Sequence, residues 1–304
     1  MDDPPAFTVK SAIARGVTVG SLRSGRFAAP FHGVRATAEP ADAGARCRAY
    51  ATKMRGDAAF TSFSAARLWG IPLPAWVDDR VVQVASPYGG PRPTGRGVAG
   101  SLYVAGSVEI VVVDGLRVLS PRDTWASLAS VLDLADLVAA GDFLVTPAFG
   151  SSRLPPADPS DLLEVARRRR FRGVRLARVA AELVRVGSLS RPESLSRILA
   201  VTGGVPEPRV NLRVSPLVTF DLAWPQWRLG FDYHGASHRS ATQYARDVGR
   251  ADVARELGWG SMQASATDLF DSPLDLLGRI RSRLSARGAT LRPLDVRRVA
   301  TARR

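Results

Sequence analysis

The spacing of apolar and polar positions divides this chain into blocks of helical and strand period. Phe7–Ala14 carries a short amphipathic helical pattern closed by Gly16, Thr18–Arg23 carries a second, and Arg26–Ala36 supplies extended residues around Gly33. Ala41–Met54 and Thr61–Gly70 are predicted helices, the latter capped near Ser62 and stopped by Gly70 ahead of Pro72. Arg80–Ser86, Leu102–Ala105, Val108–Val113 and Leu116–Leu119 alternate or run apolar and predict strands, with Pro87–Gly100 as a Gly/Pro-rich loop. Helical patterns return at Ser120–Ala129 and Asp133–Leu144. Ala148–Ser160, rich in Pro, Ser and Gly, marks a predicted domain boundary, and Asp161–Val186 follows as a helical arm.

The most informative stretch comes next. Ser190-Arg-Pro-Glu193 has the form of a capping box that opens a helix. Two apolar runs ending at Asp221 and Asp232 are separated by Trp224-Pro225-Gln226-Trp227, the pattern of a strand, a short turn and a second strand. A helix-like segment, Ala241–Leu257, follows, and then Gly260–Ser265, a weak strand without branched apolar residues. A hairpin puts Asp221 and Asp232 on neighbouring strands, where side chains opposite or diagonal to one another lie close together. Two carboxylates so placed repel unless a cation sits between them. Hard divalent ions such as Mg2+ are held by one or two carboxylates together with phosphate oxygens of a substrate.

Composition narrows the classes. With 304 residues, 45% of them apolar, the chain is long enough for two cores. No apolar run approaches the roughly 20 residues of a membrane span, and Met1-Asp-Asp-Pro-Pro lacks the basic start and apolar stretch of a signal peptide, so a cytoplasmic location is expected. A single cysteine, Cys47, excludes an internal disulfide and a cysteine-based zinc cluster. No Gly-rich phosphate loop of either common type is present. The net charge is +14, and it is unevenly spread: residues 1–150 hold 15 basic and 13 acidic residues, whereas residues 151–304 hold 27 and 15. Forty of the 42 bases are Arg, in line with the codon bias of a GC-rich genome, but such bias does not account for the asymmetry. Basic surface supplies the salt-dependent, sequence-independent part of nucleic-acid affinity. In the arm, Arg168, Arg172 and Arg175 have i, i+4, i+7 spacing and are expected to share a helix face, either as a phosphate-contacting surface or as an ordinary solvated one.

The residues from Glu193 to Leu284 resemble the PD-(D/E)XK nuclease domain related to very short patch repair endonucleases, found in many actinobacterial endonuclease-domain proteins. That pattern has a helix Glu, an Asp ending the first hairpin strand, Glu-x-Asp-Gly-x-x-His, a helix with Gln-Tyr-x-x-Asp, and Leu-x-x-x-Gly-Trp. This chain offers Glu193, Asp221, Asp232-Tyr-His234-Gly235-Ala-Ser-His238, Gln243-Tyr244-Ala-Arg-Asp247 and Glu256-Leu257-Gly258-Trp259. Asp232 stands where the family has Glu, and His234 where it has Asp; imidazole is a poorer partner for Mg2+ than for Mn2+. The resemblance implies an α/β C-terminal domain in which Glu193, Asp221 and Asp232 hold Mg2+ or Mn2+ and act catalytically. The family's lysine position is not filled by lysine, which leaves His238 as general acid or base or as a phosphate contact, with His234 and Asp247 supporting the ligands from behind.

The N-terminal part resembles the AbiEi-type antitoxin module, through Gly16-Val17, Leu22-Arg23, Gly25-Arg26 and His32-Gly33-Val34, and again through Ser64-Ala-Ala-Arg-Leu-Trp-Gly-Ile-Pro-Leu-Pro74. It implies an α+β region with a winged helix whose second helix enters a DNA groove; a helical hairpin that only packs on its neighbour remains the alternative. The expected organisation is a winged-helix-like segment over 1–38, an α+β module over 39–150, basic linker helices over 151–187, a nuclease-like domain over 188–290 and a basic tail over 291–304. Arg23, Arg26, Arg168, Arg172, Arg175 and Arg239 are the expected DNA contacts. Two functions compete: a metal-dependent DNA endonuclease in repair or defence, and a catalytically decayed nuclease fold serving as an antitoxin-type DNA-binding regulator. DNA is the expected partner of both, with a homodimer and a cognate toxin as further possible partners.

Overall fold

In the computed structural model, the described residues are 6–147, 157–168, 170–235 and 241–303, with 168 and 241–248 described by backbone alone. The chain is a mixed α+β protein that divides into two compact units, Met1–Ser130 and Val131–Arg304. The division falls upstream of the Pro/Ser-rich stretch, so the apolar helix at 134–145 belongs with the C-terminal unit.

The first unit opens with strand β1 (Ala6–Thr8), helices α1 (Val9–Ala14) and α2 (Val19–Arg23), and strand β2 (Val34–Ala36). Phe7 is therefore in a strand, not in the first helix. The reason is long-range: β1 pairs antiparallel with β2, Phe7 opposite Arg35, and helix begins only where Thr8 accepts from Ser11 N at 3.0 Å. Thr18 caps α2 in the same way. Helix α2 has five residues, about 7.5 Å at 1.5 Å per residue. Arg23 and Arg26 lie at and just beyond its end and are exposed.

Helices α3 (Ala43–Ala51), α4 (Ser62–Trp69) and α5 (Pro121–Leu128) accompany a sheet of β3 (Ala59–Phe60), β4 (Val82–Pro87), β5 (Val98–Tyr103), β6 (Ile110–Val113) and β7 (Leu116–Leu119), in the order β5-β4-β3-β7-β6. Strand β5 starts four residues before the expected Leu102, because its limits are set by parallel pairing with β4 from Val82–Val98 to Pro87–Tyr103. Ser120 caps α5, and Asp123 in its first turn answers with Oδ2, which accepts from Glu109 N at 2.7 Å and from Ser120 Oγ at 3.1 Å.

The second unit contains α6 (Leu134–Val145), α7 (Pro159–Arg168), α8 (Val174–Leu183), α9 (Arg191–Thr202), β8 (Arg209–Arg213), β9 (Thr219–Trp224), β10 (Leu229–His234), α10 (Ala241–Glu256), β11 (Gly260–Ser265) and α11 (Pro273–Ser285). The expected single arm is two helices: the chain leaves α7 at Arg168 and Gly173, at φ +87°, starts α8. Arg168 and Arg175 therefore sit on different helices and do not share one face. A left-handed glycine between them ends the i, i+4, i+7 register.

The second unit's sheet runs β11-β10-β9-β8, antiparallel throughout except for the parallel β10–β11 pair. The weak strand at 260–265 forms because pairing with β10 along its whole length compensates for low propensity, with Met262 and Ala264 buried and their neighbours outside. Helix α10 packs through Val253 and Ala254 on a cluster of Val218, Phe220, Ala223 and Trp259. A methyl added at Gly230 would run into the Phe220 ring, so that strand position requires glycine. A buried ion network braces α6 against α9: Arg197 is fully buried, with Nη2 2.8 Å from Asp142 Oδ2 and Nη1 3.1 Å from Glu207 Oε1. Ser194 Oγ also donates to Asp142, at 2.7 Å. The described residues of the basic tail, 291–303, bond to the rest of the unit: Arg292 N donates to Gly204 O, Ala300 N to Thr202 Oγ1 and Arg191 to Arg303 O.

Candidate acidic site on the C-terminal sheet

The β9–β10 ladder pairs Leu229 with Trp224, Gly230 with Ala223 and Phe231 with Leu222. One step on, Asp232 and Asp221 meet where the regular ladder stops. Each strand's amide is there taken by the other strand's carboxylate: Tyr233 N donates to Asp221 Oδ2 at 2.7 Å, and Asp221 N to Asp232 Oδ1 at 3.3 Å. Across the other edge of β9, pairing with β8 continues on both sides of Asp221 but skips its opposite residue, Asn211, which has φ +48°. Such a left-handed residue bends the strand locally, and Phe220 and Ala223, three apart, both reach the cluster under α10. Strict alternation is broken at the acid.

Glu193 arrives from α9. Ser190 caps the helix, accepting from Glu193 N, and Ser190 Oγ donates back to Glu193 Oε1 at 2.8 Å. Glu193 Oε2 accepts from Leu189 N at 2.9 Å and from Asn211 Nδ2 at 3.1 Å. The predicted cap is therefore present at Ser190, with the reciprocal bonds of Glu193 going to the Ser190 hydroxyl and the Leu189 amide instead of the Ser190 amide, and both oxygens of the expected metal ligand are engaged.

The electrostatics follow from burial without full compensation. Asp221 is pushed up to about 7, first by desolvation, and then by the nearby charges of Glu193 and Asp232, against the opposing bond from Tyr233 N. Burial also raises Asp232, here opposed chiefly by Arg250. Arg250, on α10, places Nη2 2.7 Å from Asp232 Oδ1, hydrogen-bonds the Thr219 carbonyl, and stacks over Phe220 with its guanidinium carbon 5.8 Å from the ring centre. Sequence reasoning missed Arg250 and Asn211. Arg250 lies one turn before Ala254, which faces the sheet, so its position on that face was legible; Asn211 carried no comparable signal.

Other expected site residues are less well placed or lie elsewhere. His234 ends β10 with Nε2 buried and without a hydrogen-bond partner among the described residues. His238 and Arg239 fall outside the described residues, and Asp247 and Arg168 are described only by backbone. Arg172 and Arg175 are exposed, on the turn before α8 and in its first turn.

Among the described residues, no group of three or more His, Cys, Asp or Glu side chains is arranged to hold a metal ion. The donor chemistry fits a smaller site. Asp221 Oδ1 and Asp232 Oδ2 accept none of the hydrogen bonds found among the described residues, and two carboxylates plus substrate oxygens suffice for a hard divalent ion. Glu193 is held by three donors, acts on the pair through its charge on Asp221, and does not make with them a group of three arranged to hold a metal ion. No helix of the described residues is long and apolar enough to cross a membrane. No protein-family model, curated protein or solved structure matches this chain.

Proposed function

We propose that the second unit is a metal-dependent DNA endonuclease of the PD-(D/E)XK type, with Asp221 and Asp232 as its metal-holding pair. The observation that carries this reading is the reciprocal carboxylate pair at the β9–β10 ladder end, where the half-buried Asp221 lies near two other acids and is raised to about 7. Such a group gains free energy from an incoming cation. The order helix, three-strand meander, helix, parallel strand supports the same assignment. A bound Mg2+ or Mn2+ would lower the pKa of a water and neutralise charge developing on the scissile phosphate. Asp221 and Asp232 fix where it binds, Asn211 and Ser190 hold the nearby Glu193 in place, and His238 remains the proposed proton-transfer group. The basic excess of residues 151–304 draws the phosphate backbone toward this unit.

The second reading is a nuclease fold kept as the DNA-binding platform of an antitoxin-type regulator. It is favoured by Arg250, which already neutralises Asp232, and by His234 in place of a carboxylate. The test is cleavage of plasmid and single-stranded DNA in Mg2+ or Mn2+, comparing wild type with Asp221→Ala. Cutting that disappears in the variant is the expected result. DNA binding without cutting by wild type would overturn the nuclease and favour the regulator.

A further inference from the structure

Arg250 is the one described basic side chain ion-paired to the acidic pair, and its three contacts are unusual in combination. Its guanidinium is charged at any accessible pH, so it cannot leave Asp232 by losing a proton. It holds an oxygen of the same carboxylate that the proposed metal would use, and its anchors beyond that carboxylate are the Thr219 carbonyl and the Phe220 ring, neither of them a charged partner. At 29% side-chain exposure it also reaches solvent, where a phosphate diester would approach.

Resting on the nuclease reading, we propose that Arg250 is a built-in counter-ion that competes with the divalent cation for Asp232, and that once displaced it holds the DNA phosphate. In the metal-free protein it limits repulsion between Asp221 and Asp232. When the ion arrives, the guanidinium gives up Asp232, and its planar donor fork is suited to two phosphate oxygens. Arg250 is a positioning residue for the metal and a contact for the substrate. Metal and DNA binding are then coupled: DNA that takes Arg250 away frees Asp232, so each ligand tightens the other.

The test measures Mn2+ binding by isothermal titration on the full chain, for wild type, Arg250→Gln, Arg250→Lys and Asp221→Asn, with and without a short duplex. Arg250→Gln is expected to bind Mn2+ about tenfold or more tightly than wild type, within the usual range of coupled sites, and to lose the tightening that duplex confers on wild type. Arg250→Lys keeps the charge and should stay within about threefold of wild type; it also covers the case in which the Gln variant fails to fold, since duplex-dependent tightening weaker in Lys than in wild type then supports the role of the planar fork. Equal or weaker Mn2+ binding by a folded Arg250→Gln, or wild-type binding indifferent to duplex, overturns the competition while leaving the metal site standing. If wild type and Arg250→Gln both fail to bind Mn2+, or if Asp221→Asn binds as well as wild type, the metal reading itself fails, and this inference with it.

Discussion

Replacing Asp221 by Asn should make the protein more stable at alkaline pH and leave it unchanged in acid. Asp221 has a folded-state value near 7 against an ordinary 3.8. Between those values the folded state binds more protons than the unfolded state, so stability falls as pH rises from about 4 to about 7 and stays low above. A gap of about three pH units, at ~1.4 kcal/mol each, sets an upper limit of roughly 4 kcal/mol for the cost of ionising this carboxylate in the fold. Asn keeps a carbonyl oxygen for Tyr233 N and carries no charge, so it escapes that cost. Relaxation around the buried charge and the burial of a new amide reduce the realised gain to about 1–3 kcal/mol. The assay is urea denaturation of wild type and Asp221→Asn in chelator-treated buffer at pH 4, 6 and 8, followed by tryptophan fluorescence, with Trp224 buried in the sheet concerned. The difference should grow with pH and shrink again for wild type when Mn2+ is added at pH 8. A variant no more stable than wild type at pH 8, or a difference flat across pH, would refute the view that the acid pair is held at a cost to the fold.

Two further outcomes check other parts of the structure. Asp142→Ala strands the fully buried Arg197 without its principal partner, and should destabilise the second unit by about 3–5 kcal/mol, whereas replacing both residues by apolar ones should recover most of the loss; thermal or urea melts of the single and double variants measure it. Arg172→Ala with Arg175→Ala should weaken DNA binding uniformly across sequences and lower the slope of log K against log salt by about 0.9 for each phosphate contact removed, as read by fluorescence anisotropy over a salt series. An unchanged slope would return both arginines to ordinary solvated surface.

Local physics was readable wherever a short segment decides its own conformation. The Ser190 cap, the helix starts at Ser120 and Asp133, the stop at Gly70, the strand at Leu116–Leu119 and the hairpin about Trp224–Trp227 all follow from nearby residues, and all form. That Asp221 and Asp232 meet was likewise legible, because turn length and strand period fix cross-strand neighbours. What the sequence could not supply is everything set by distant pairing. Phe7 is drawn into a strand by pairing opposite Arg35, and the weak strand expected at Gly260–Ser265 owes its full length to the parallel ladder with β10. The charge state of the site belongs to the same category. Only the tertiary structure brings Asn211 to Glu193 and sets Arg250 against Asp232, because desolvation and ion pairing depend on which side chains packing brings together from far along the chain.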